Sequence, residues 1–165
     1  MKLKSRKVSF DCGVEQRLEQ LGLQLPTAPK PAGNYSAFVL AGNLLFLSGQ
    51  FPITKSSAAI YGRVGSELTE QQGYTAARLA ALNVLAQLRA ALGRFDRLET
   101  LLRVEGYVAS AQNWHNTPKA LDGASDLFTA VLGRRGSHSR AAFNVPRLPC
   151  DFAVELVVTA AIKPR

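Results

Sequence analysis

The chain has 165 residues, of which 47% are hydrophobic and 19% charged, and a formal net charge of +8. This composition is typical of one soluble globular domain that is large enough to bury its own core. It excludes a disulfide scaffold, because there are only two cysteines, and no apolar run reaches the roughly 18 residues that a membrane-spanning helix needs. We therefore expect a protein of the cytoplasm that has no membrane partner.

The positive charge is concentrated at the N-terminus, where Lys2, Lys4, Arg6 and Lys7 supply four of the eight net charges. No apolar stretch of the kind found in secretory signals follows them, and no aromatic residues alternate with them as in base-stacking surfaces. We expect residues 1–13 to form a basic flexible arm and residues 14–165 to form a single domain. A nucleic-acid-binding arm is the alternative, but nucleic acid is not the partner that we expect.

The first third of the chain predicts a helix, a connector and a hairpin. Residues 14–21 have helical spacing, and Gly22 follows as a stop. The next stretch, LPTAPKPAGNY, is rich in proline, which indicates an extended connector. Gly42-Asn43 separates the apolar runs YSAFVLA and LLFLS, and this pattern predicts a tight β-hairpin. A short strand over 60–64 is a further expectation.

A long amphipathic helix follows the hairpin. Thr69 and Gln72 have the spacing of a capping box, apolar residues then recur at helical spacing, and Gly93 ends the helix. Residues 99–110, with β-branched and aromatic side chains, predict a strand.

The last third predicts one helix and two strands. Thr117 is the predicted N-cap of a helix that has Pro118 at its first position and ends at Leu132. Strands are predicted over 141–145 and 152–162. The resulting order indicates an α+β fold, a mixed sheet with two main helices on one face and an additional N-terminal helix. The other face of the sheet would be bare, which suggests self-association.

The sequence lacks the phosphate-binding, dinucleotide-binding and nucleophile-elbow motifs. His115 and His138 have no carboxylate or cysteine at a metal-ligand spacing, and we interpret them as surface histidines. Cys12 and Cys150 have no predicted activating neighbour, so they are interpreted as structural or incidental. No metal site is expected.

Four polar residues stand at strand edges or inside apolar runs: Tyr35, Ser48, Arg140 and Glu155. Each has a structural explanation, and a salt bridge between Arg140 and Glu155 is one of them. The functional alternative is a small pocket for an anionic substrate. An arginine fork binds a carboxylate bidentately, and a carboxylate in an apolar strand can act as an acid or base or orient a water.

Three segments resemble the Rid/YjgF family of enamine/imine deaminases, also called L-PSP endoribonuclease-like, and more closely a longer, less characterised branch. PAGNYSAFV is similar to the family's G-P-Y-S-x-A, and LLFLSGQFP to its I-x-x-S-G-Q-x-P. SRAAFNVPRLPCDFAVELVVTA is similar to A-R-x-x-V-x-V-x-x-L-P-x-x-x-x-V-E-I-E-x-I-A, and is the most specific. The resemblance extends from about Glu15 to the C-terminus.

The resemblance implies a chorismate-mutase-like (YjgF) fold and a homotrimer with clefts between subunits. It implies that Arg140 binds the substrate carboxylate and that Glu155 positions the hydrolytic water. Tyr35 and Ser48, with the adjacent Gly49, match pocket residues around the reacting nitrogen. The partner would be a small carboxylate-bearing imine or enamine, or its keto acid, and no cofactor is expected.

Ala142 replaces the cysteine that many members carry two residues after the arginine, so only a backbone contact is expected there. LDGASDLF also departs from the family's usual V-N-A-T-Y, which places Asp122 in that region. Two alternatives to a deaminase stay open. The departures suggest a module that binds small carboxylates without turnover, and the family's endoribonuclease label suggests an RNA-cleaving or translation-inhibiting protein.

Overall fold

The computed structural model describes residues 13–53 and 59–164. The predicted basic arm, apart from Gly13, lies outside these residues, as does Cys12. The described elements are three α-helices and five β-strands, with shorter 3₁₀ turns between some of them. In chain order they are α1 (Val14–Gln20), β1 (Phe38–Ala41), β2 (Leu44–Gln50), α2 (Glu70–Leu92), β3 (Leu98–Ala109), α3 (Thr117–Leu132), β4 (Ser139–Val145) and β5 (Val154–Ile162).

The strands form one five-stranded mixed sheet in the order β1-β2-β5-β3-β4. The β1–β2, β2–β5 and β5–β3 pairs are antiparallel, whereas β3 and β4 run parallel and are connected by α3. The turn of the β1–β2 hairpin contains Gly42 with a φ of +60°, a conformation that glycine adopts without strain. The α+β class and the predicted hairpin are therefore confirmed.

The two long helices cover one face of the sheet. The Thr69 side chain accepts a hydrogen bond from the Gln72 backbone N–H and the Gln72 side chain accepts one from the Thr69 N–H, which completes the predicted capping box of α2. The core lies between the helices and the sheet, where side chains from both layers are almost fully excluded from solvent. It includes Val84, Leu85, Leu88, Leu127, Phe128, Val104, Leu156 and Val158.

Two predictions of local structure were wrong. Residues 60–64 do not form a strand, because Tyr61 and Val64 make only isolated bridges. The N-cap of α3 is Asn116 rather than Thr117, which is buried inside the first turn. The Asn116 side chain makes no capping hydrogen bond, and its Nδ2 instead donates to Glu70 Oε2 at 2.8 Å. The Asn116 side chain therefore bonds to α2 and leaves the first backbone N–H groups of α3 without a side-chain cap.

The second face of the sheet has no helix of the described chain on it. Val39, Phe46 and Phe143 are large apolar residues of β1, β2 and β4 that are 40–56% exposed there. Tyr107 stacks on Phe143 with ring centroids 4.9 Å apart. We call this surface the open face. No helix among the described residues is long and apolar enough to cross a membrane.

Candidate active site

A pocket of about 590 Å³ lies where β2 and β5 meet the connector that precedes β1. This volume is in the range of small-molecule sites. Four of the six predicted site residues line it: Tyr35, Ser48, Gly49 and Glu155. The remaining lining residues come from the connector, the end of β2, α2 and the segment before β5. They include Pro29, Lys30, Pro31, Phe51, Ile53, Gln87, Cys150 and Phe152.

A β-bulge shapes the floor of the pocket. Leu47 pairs with Val158 and Gln50 pairs with Leu156, so Ser48 and Gly49 together stand opposite one residue of β5. Bulges of this kind redirect side chains and are frequent beside active sites. The sequence does not reveal this bulge, because it changes the pairing and not the apolar pattern.

Gly49 leaves the space that the Glu155 carboxylate occupies. A Cβ atom added at Gly49 would collide with Glu155 Oε1, and it would also lie 2.9 Å from the Glu155 carboxyl carbon. The backbone of Gly49 is outside the left-handed region. The glycine is therefore required by the close approach of the carboxylate and not by its backbone conformation.

Glu155 is half-buried, and no hydrogen-bond donor or cation of the described residues contacts its carboxylate. Burial raises the pKa of Glu155 above its usual range, since desolvation disfavours the charged form. A carboxyl group whose pKa is raised in this way can exchange protons nearer neutral pH than a solvated one. This carboxylate has the environment of an acid–base group.

Tyr35 and Ser48 are held by the backbone around the pocket mouth. Tyr35, which is 51% exposed, accepts a hydrogen bond from the Ala32 N–H at 3.1 Å, so its hydroxyl proton stays available for a ligand. Ser48 Oγ donates to the Ser36 carbonyl at 2.6 Å. Because its proton is used there, Ser48 can only accept a hydrogen bond from a ligand N–H.

Arg140 lies elsewhere in the same chain. Its Nη1 donates to Asp122 Oδ1 at 2.9 Å and to Ser125 Oγ at 3.0 Å, and its Nη2 donates to the Pro118 carbonyl at 3.3 Å. Its side chain is 23% exposed. The alternative of an Arg140–Glu155 salt bridge is therefore wrong within one chain, because Asp122 of α3 is the partner of Arg140.

Arg140 and Glu155 are on opposite faces of the sheet. Arg140 pairs with Val104 of β3, whose side chain is in the core beneath the helices. Glu155 pairs with Tyr107, which is on the open face. Strand β3 separates β4 from β5, so one chain does not bring the two residues into one site. Ala142, two residues after Arg140, is on the same face of the sheet as Arg140, and it does not line the pocket.

A hydrogen-bond network behind Arg140 was not predicted. Ser125 Oγ lies 3.1 Å from His138 Nε2, and His138 Nδ1 lies 2.6 Å from the Gly136 carbonyl. A carbonyl can only accept, so Nδ1 carries the proton and Nε2 accepts from Ser125. Burial lowers the pKa of His138. The interpretation of His138 as a surface histidine was wrong, since it is half-buried and braces the Arg140 site.

Within the described residues, no group of three histidine, cysteine or acidic side chains is placed to hold a metal ion. The residues that sequence reasoning missed are mostly apolar or amide-bearing, such as Phe51, Phe152 and Gln87. The sequence did not mark them as pocket residues, because residues of these types are found throughout protein interiors.

The layered fold and the pocket beside the bulge define a class, the α+β proteins of the chorismate-mutase-like type. A family model described as "YjgF/chorismate_mutase-like, putative endoribonuclease" matches residues 15–161. The chain belongs to the YjgF family.

Several relatives support this assignment. Protein TCP17 of Trypanosoma cruzi is 38% identical over 87% of this chain and 90% of its own length. A "putative endoribonuclease" of Shewanella oneidensis MR-1 has 37% identity and a TM-score of 0.88, covering 91% of this chain and 99% of that one. The YjgF gene product of Escherichia coli has 22% identity and a TM-score of 0.61 over 84% and 97% of the two chains, which shows a shared fold.

Proposed function

We propose that the protein is a hydrolytic deaminase of reactive enamines and imines, which it converts to 2-keto acids and ammonia. The observation that carries this proposal is Glu155, a half-buried carboxylate without a partner among the described residues, in an apolar pocket with Tyr35 and Ser48. Such a group can activate a water and then return the proton. The proposed setting is the cytoplasm.

The reaction needs a water, a proton relay and a fixed substrate. Glu155 takes a proton from water as the oxygen bonds to the carbon of the protonated imine, which gives a neutral carbinolamine. Glu155 then returns that proton to the nitrogen, the C–N bond breaks and ammonia leaves, and the hydroxyl proton passes to the Glu155 carboxylate as the C=O bond of the keto acid forms. Glu155 releases this last proton to ammonia or to solvent. Ser48 Oγ accepts from the imine N–H. An imine is already an electrophile, so the site mainly orients the reactants, and no cofactor enters the proposal.

The carboxylate of the substrate would be bound by Arg140 of a neighbouring subunit in a homotrimer. Within a chain, Nη1 of Arg140 is occupied by Asp122 and Ser125, but the Nε–H is not used by any described residue. One Nη2 hydrogen donates to the Pro118 carbonyl, so the Nε–H and the second Nη2 hydrogen are left to bind a carboxylate. The exposed apolar residues of the open face, among them Phe46 and Phe143, support the association that would bring the two half-sites together.

The first test follows the decay of 2-aminoacrylate, and separately of a larger imino acid made by an amino-acid oxidase. Wild type is expected to accelerate both decays, and Arg140→Ala to lose the acceleration while it stays folded and trimeric. Arg134→Ala, an equal loss of charge at an exposed residue of the short 3₁₀ helix after α3, is the matched control. No acceleration by a folded, trimeric wild type would overturn the proposal.

A second test examines the shared site directly. Arg140→Ala and Glu155→Gln chains are each expected to be inactive, and mixed trimers of equal composition are expected to recover about a quarter of the wild-type activity, because one cleft in four then combines two intact half-sites. If each cleft used Arg140 and Glu155 of the same chain, mixing would restore nothing.

A carboxylate-binding module without turnover is the second candidate. It is favoured by the departures from the family pattern at Ala142 and in LDGASDLF, because they change family site residues while Tyr35, Ser48 and Glu155 still line a pocket. Tight binding of a 2-keto acid without ammonia release from any imine would establish it.

RNA cleavage is a weaker candidate function, although several relatives are described as putative endoribonucleases. Metal-free RNA cleavage uses a paired acid and base beside a phosphate. Among the described residues that line the pocket there is one carboxylate and no histidine. RNA cleavage that persists in Arg140→Ala and disappears on stringent purification would identify a contaminating nuclease.

A further inference from the structure

We propose that the site prefers 2-imino acids with large apolar side chains, aromatic ones most of all, to three-carbon substrates such as 2-aminoacrylate. This inference rests on the proposed function and names the substrate class of the same pocket. It comes from the part of the pocket that the reaction itself does not use, the apolar wall formed by Phe51, Phe152, Ile53, Pro29 and Pro31.

The wall is a built aromatic surface. Phe152 stacks on Phe51 with ring centroids 4.8 Å apart and an interplanar angle of 25°. Phe152 also stacks on Tyr61, with centroids 5.2 Å apart and an angle of 18°. Phe51 and Phe152 line the pocket, whereas Tyr61 does not. A planar apolar group that enters the pocket can pack against rings that are already held in place.

Two buried amides of α2 fix the segments that carry this wall. Asn83, which is 1% exposed, donates through Nδ2 to the carbonyls of Phe51 at 2.8 Å and Ile53 at 2.9 Å. Gln87, which is 2% exposed, donates through Nε2 to the carbonyl of Pro29. Both sides of the wall are thereby tethered to one helix. The pocket is preformed, so a bulky ligand does not have to open it.

A three-carbon substrate would leave most of this space unfilled. With its reacting carbon beside Glu155, 2-aminoacrylate has no side chain that reaches the wall within a cavity of about 590 Å³. Each methylene that an apolar pocket recognises changes kcat/KM by about 10- to 200-fold. A phenyl or isobutyl group that packs against Phe51 and Phe152 should therefore raise kcat/KM above the value for a three-carbon substrate.

The test compares imino acids made in place from alanine, leucine and phenylalanine by an amino-acid oxidase, with the wild-type protein. We expect kcat/KM to rise along this series, with the phenylalanine-derived imine at least about tenfold above the alanine-derived one. Equal values, or a fall with side-chain size, would overturn the proposal. This measurement needs no variant, so a folding defect cannot obscure it.

Variants then test whether the wall is the cause. Phe152→Ala is expected to lower kcat/KM for the phenylalanine-derived imine at least about tenfold more than it lowers kcat/KM for the alanine-derived imine, and Phe152→Leu is expected to be intermediate. Leu40→Ala, an apolar truncation on the edge strand β1 outside the pocket, is the control. An unchanged preference in folded Phe152→Ala, judged by circular dichroism, would also overturn the proposal.

Binding separates this inference from the proposed function. Calorimetry with pyruvate and phenylpyruvate measures the same discrimination without any turnover. If no imine is hydrolysed but phenylpyruvate binds at least tenfold more tightly, the deaminase proposal fails and the substrate-class inference stands. If phenylpyruvate binds no more tightly than pyruvate, the inference fails whatever the turnover.

Discussion

The pocket around Glu155 and the cluster around Arg140 place opposite charges in contrasting surroundings. Glu155 is half-buried against apolar side chains and has no donor among the described residues. Arg140 is bound by Asp122, Ser125 and the Pro118 carbonyl. An unpaired carboxylate that is partly desolvated costs stability, whereas a paired arginine is a fixed structural element. Under the proposed function, Glu155 is the group that reacts and Arg140 is the group that binds, and this difference in surroundings supports that division of roles.

The largest expected effect comes from removing the proton-accepting group. Glu155→Gln keeps the size of the side chain but cannot take a proton, so imine hydrolysis should fall by about 10²- to 10⁴-fold in kcat/KM. Keto-acid formation in a coupled assay measures it. Glu99→Gln, at an exposed position of β3, should retain wild-type activity. Retention of more than a tenth of the activity in Glu155→Gln would contradict the assignment of Glu155 as the acid–base group.

A smaller loss is expected from displacing the carboxylate without changing it. In Gly49→Ala the new Cβ meets the Glu155 carboxyl group, which must move by about an ångström, and such a misplacement costs about 10²-fold in kcat/KM. Gly13→Ala, where the nearest atom to the added Cβ is 3.9 Å away, is the matched change. Equal kcat/KM values for the two variants would show that the position of the Glu155 carboxylate is not critical.

Removing the negative charge beside Arg140 should improve substrate binding, in contrast to the losses of activity expected at Glu155 and Gly49. Asp122→Asn keeps an acceptor for Nη1 but removes a negative charge that repels a substrate carboxylate, so KM should fall about two- to fivefold, the range of a partly exposed ion pair. The value of kcat should stay the same. Asp122→Ala removes the acceptor as well and should raise KM. Asp126→Asn, whose partner is Tyr74, serves as the control for a charge change on α3.

The smallest effect is on stability. Because burial raises the pKa of Glu155 above its ordinary value, the folded state binds its proton more tightly than the unfolded state does. The resulting stabilisation is complete below the unfolded pKa and is lost as the pH rises through the folded pKa.

Wild type should therefore lose thermal stability relative to Glu155→Gln as the pH is raised from about 4 towards 7. Parallel melting curves of the two proteins measure this. A constant difference in Tm across that range would show that Glu155 is not desolvated in solution.

The sequence predicts the elements well where local chemistry specifies them. The capping box at Thr69 and Gln72 and the glycine-asparagine turn at Gly42 are short-range signals, and both elements form as predicted. The sequence did not predict Asn116 as the N-cap of α3. Its side chain makes no capping hydrogen bond and instead contacts Glu70, 46 residues away, and a contact so distant in the chain has no local signal.

The candidate site was predictable as a set of residues but not as a geometry. Tyr35, Ser48, Gly49 and Glu155 do meet in one pocket. The sequence gives no sign that β3 inserts between the consecutive strands β4 and β5, or that the pairing register puts Arg140 and Glu155 on opposite faces. Nor does it show that Asp122 takes the guanidinium. Strand order and long-range pairing depend on the whole fold and not on local pattern.

The place of β5 in the sheet has a consequence for how the protein is made. This strand is the last element of the described chain, yet it lies between β2 and β3 and pairs with both. On the ribosome, the β1–β2 hairpin and the β3–α3–β4 unit can form early. Their strands cannot pair into one sheet until β5 has left the exit tunnel, because β5 lies between β2 and β3. Pairings this distant in sequence slow folding and expose strand edges meanwhile. Synthesis thus delays the docking of both halves, and the carboxylate of Glu155 arrives with the strand that unites them.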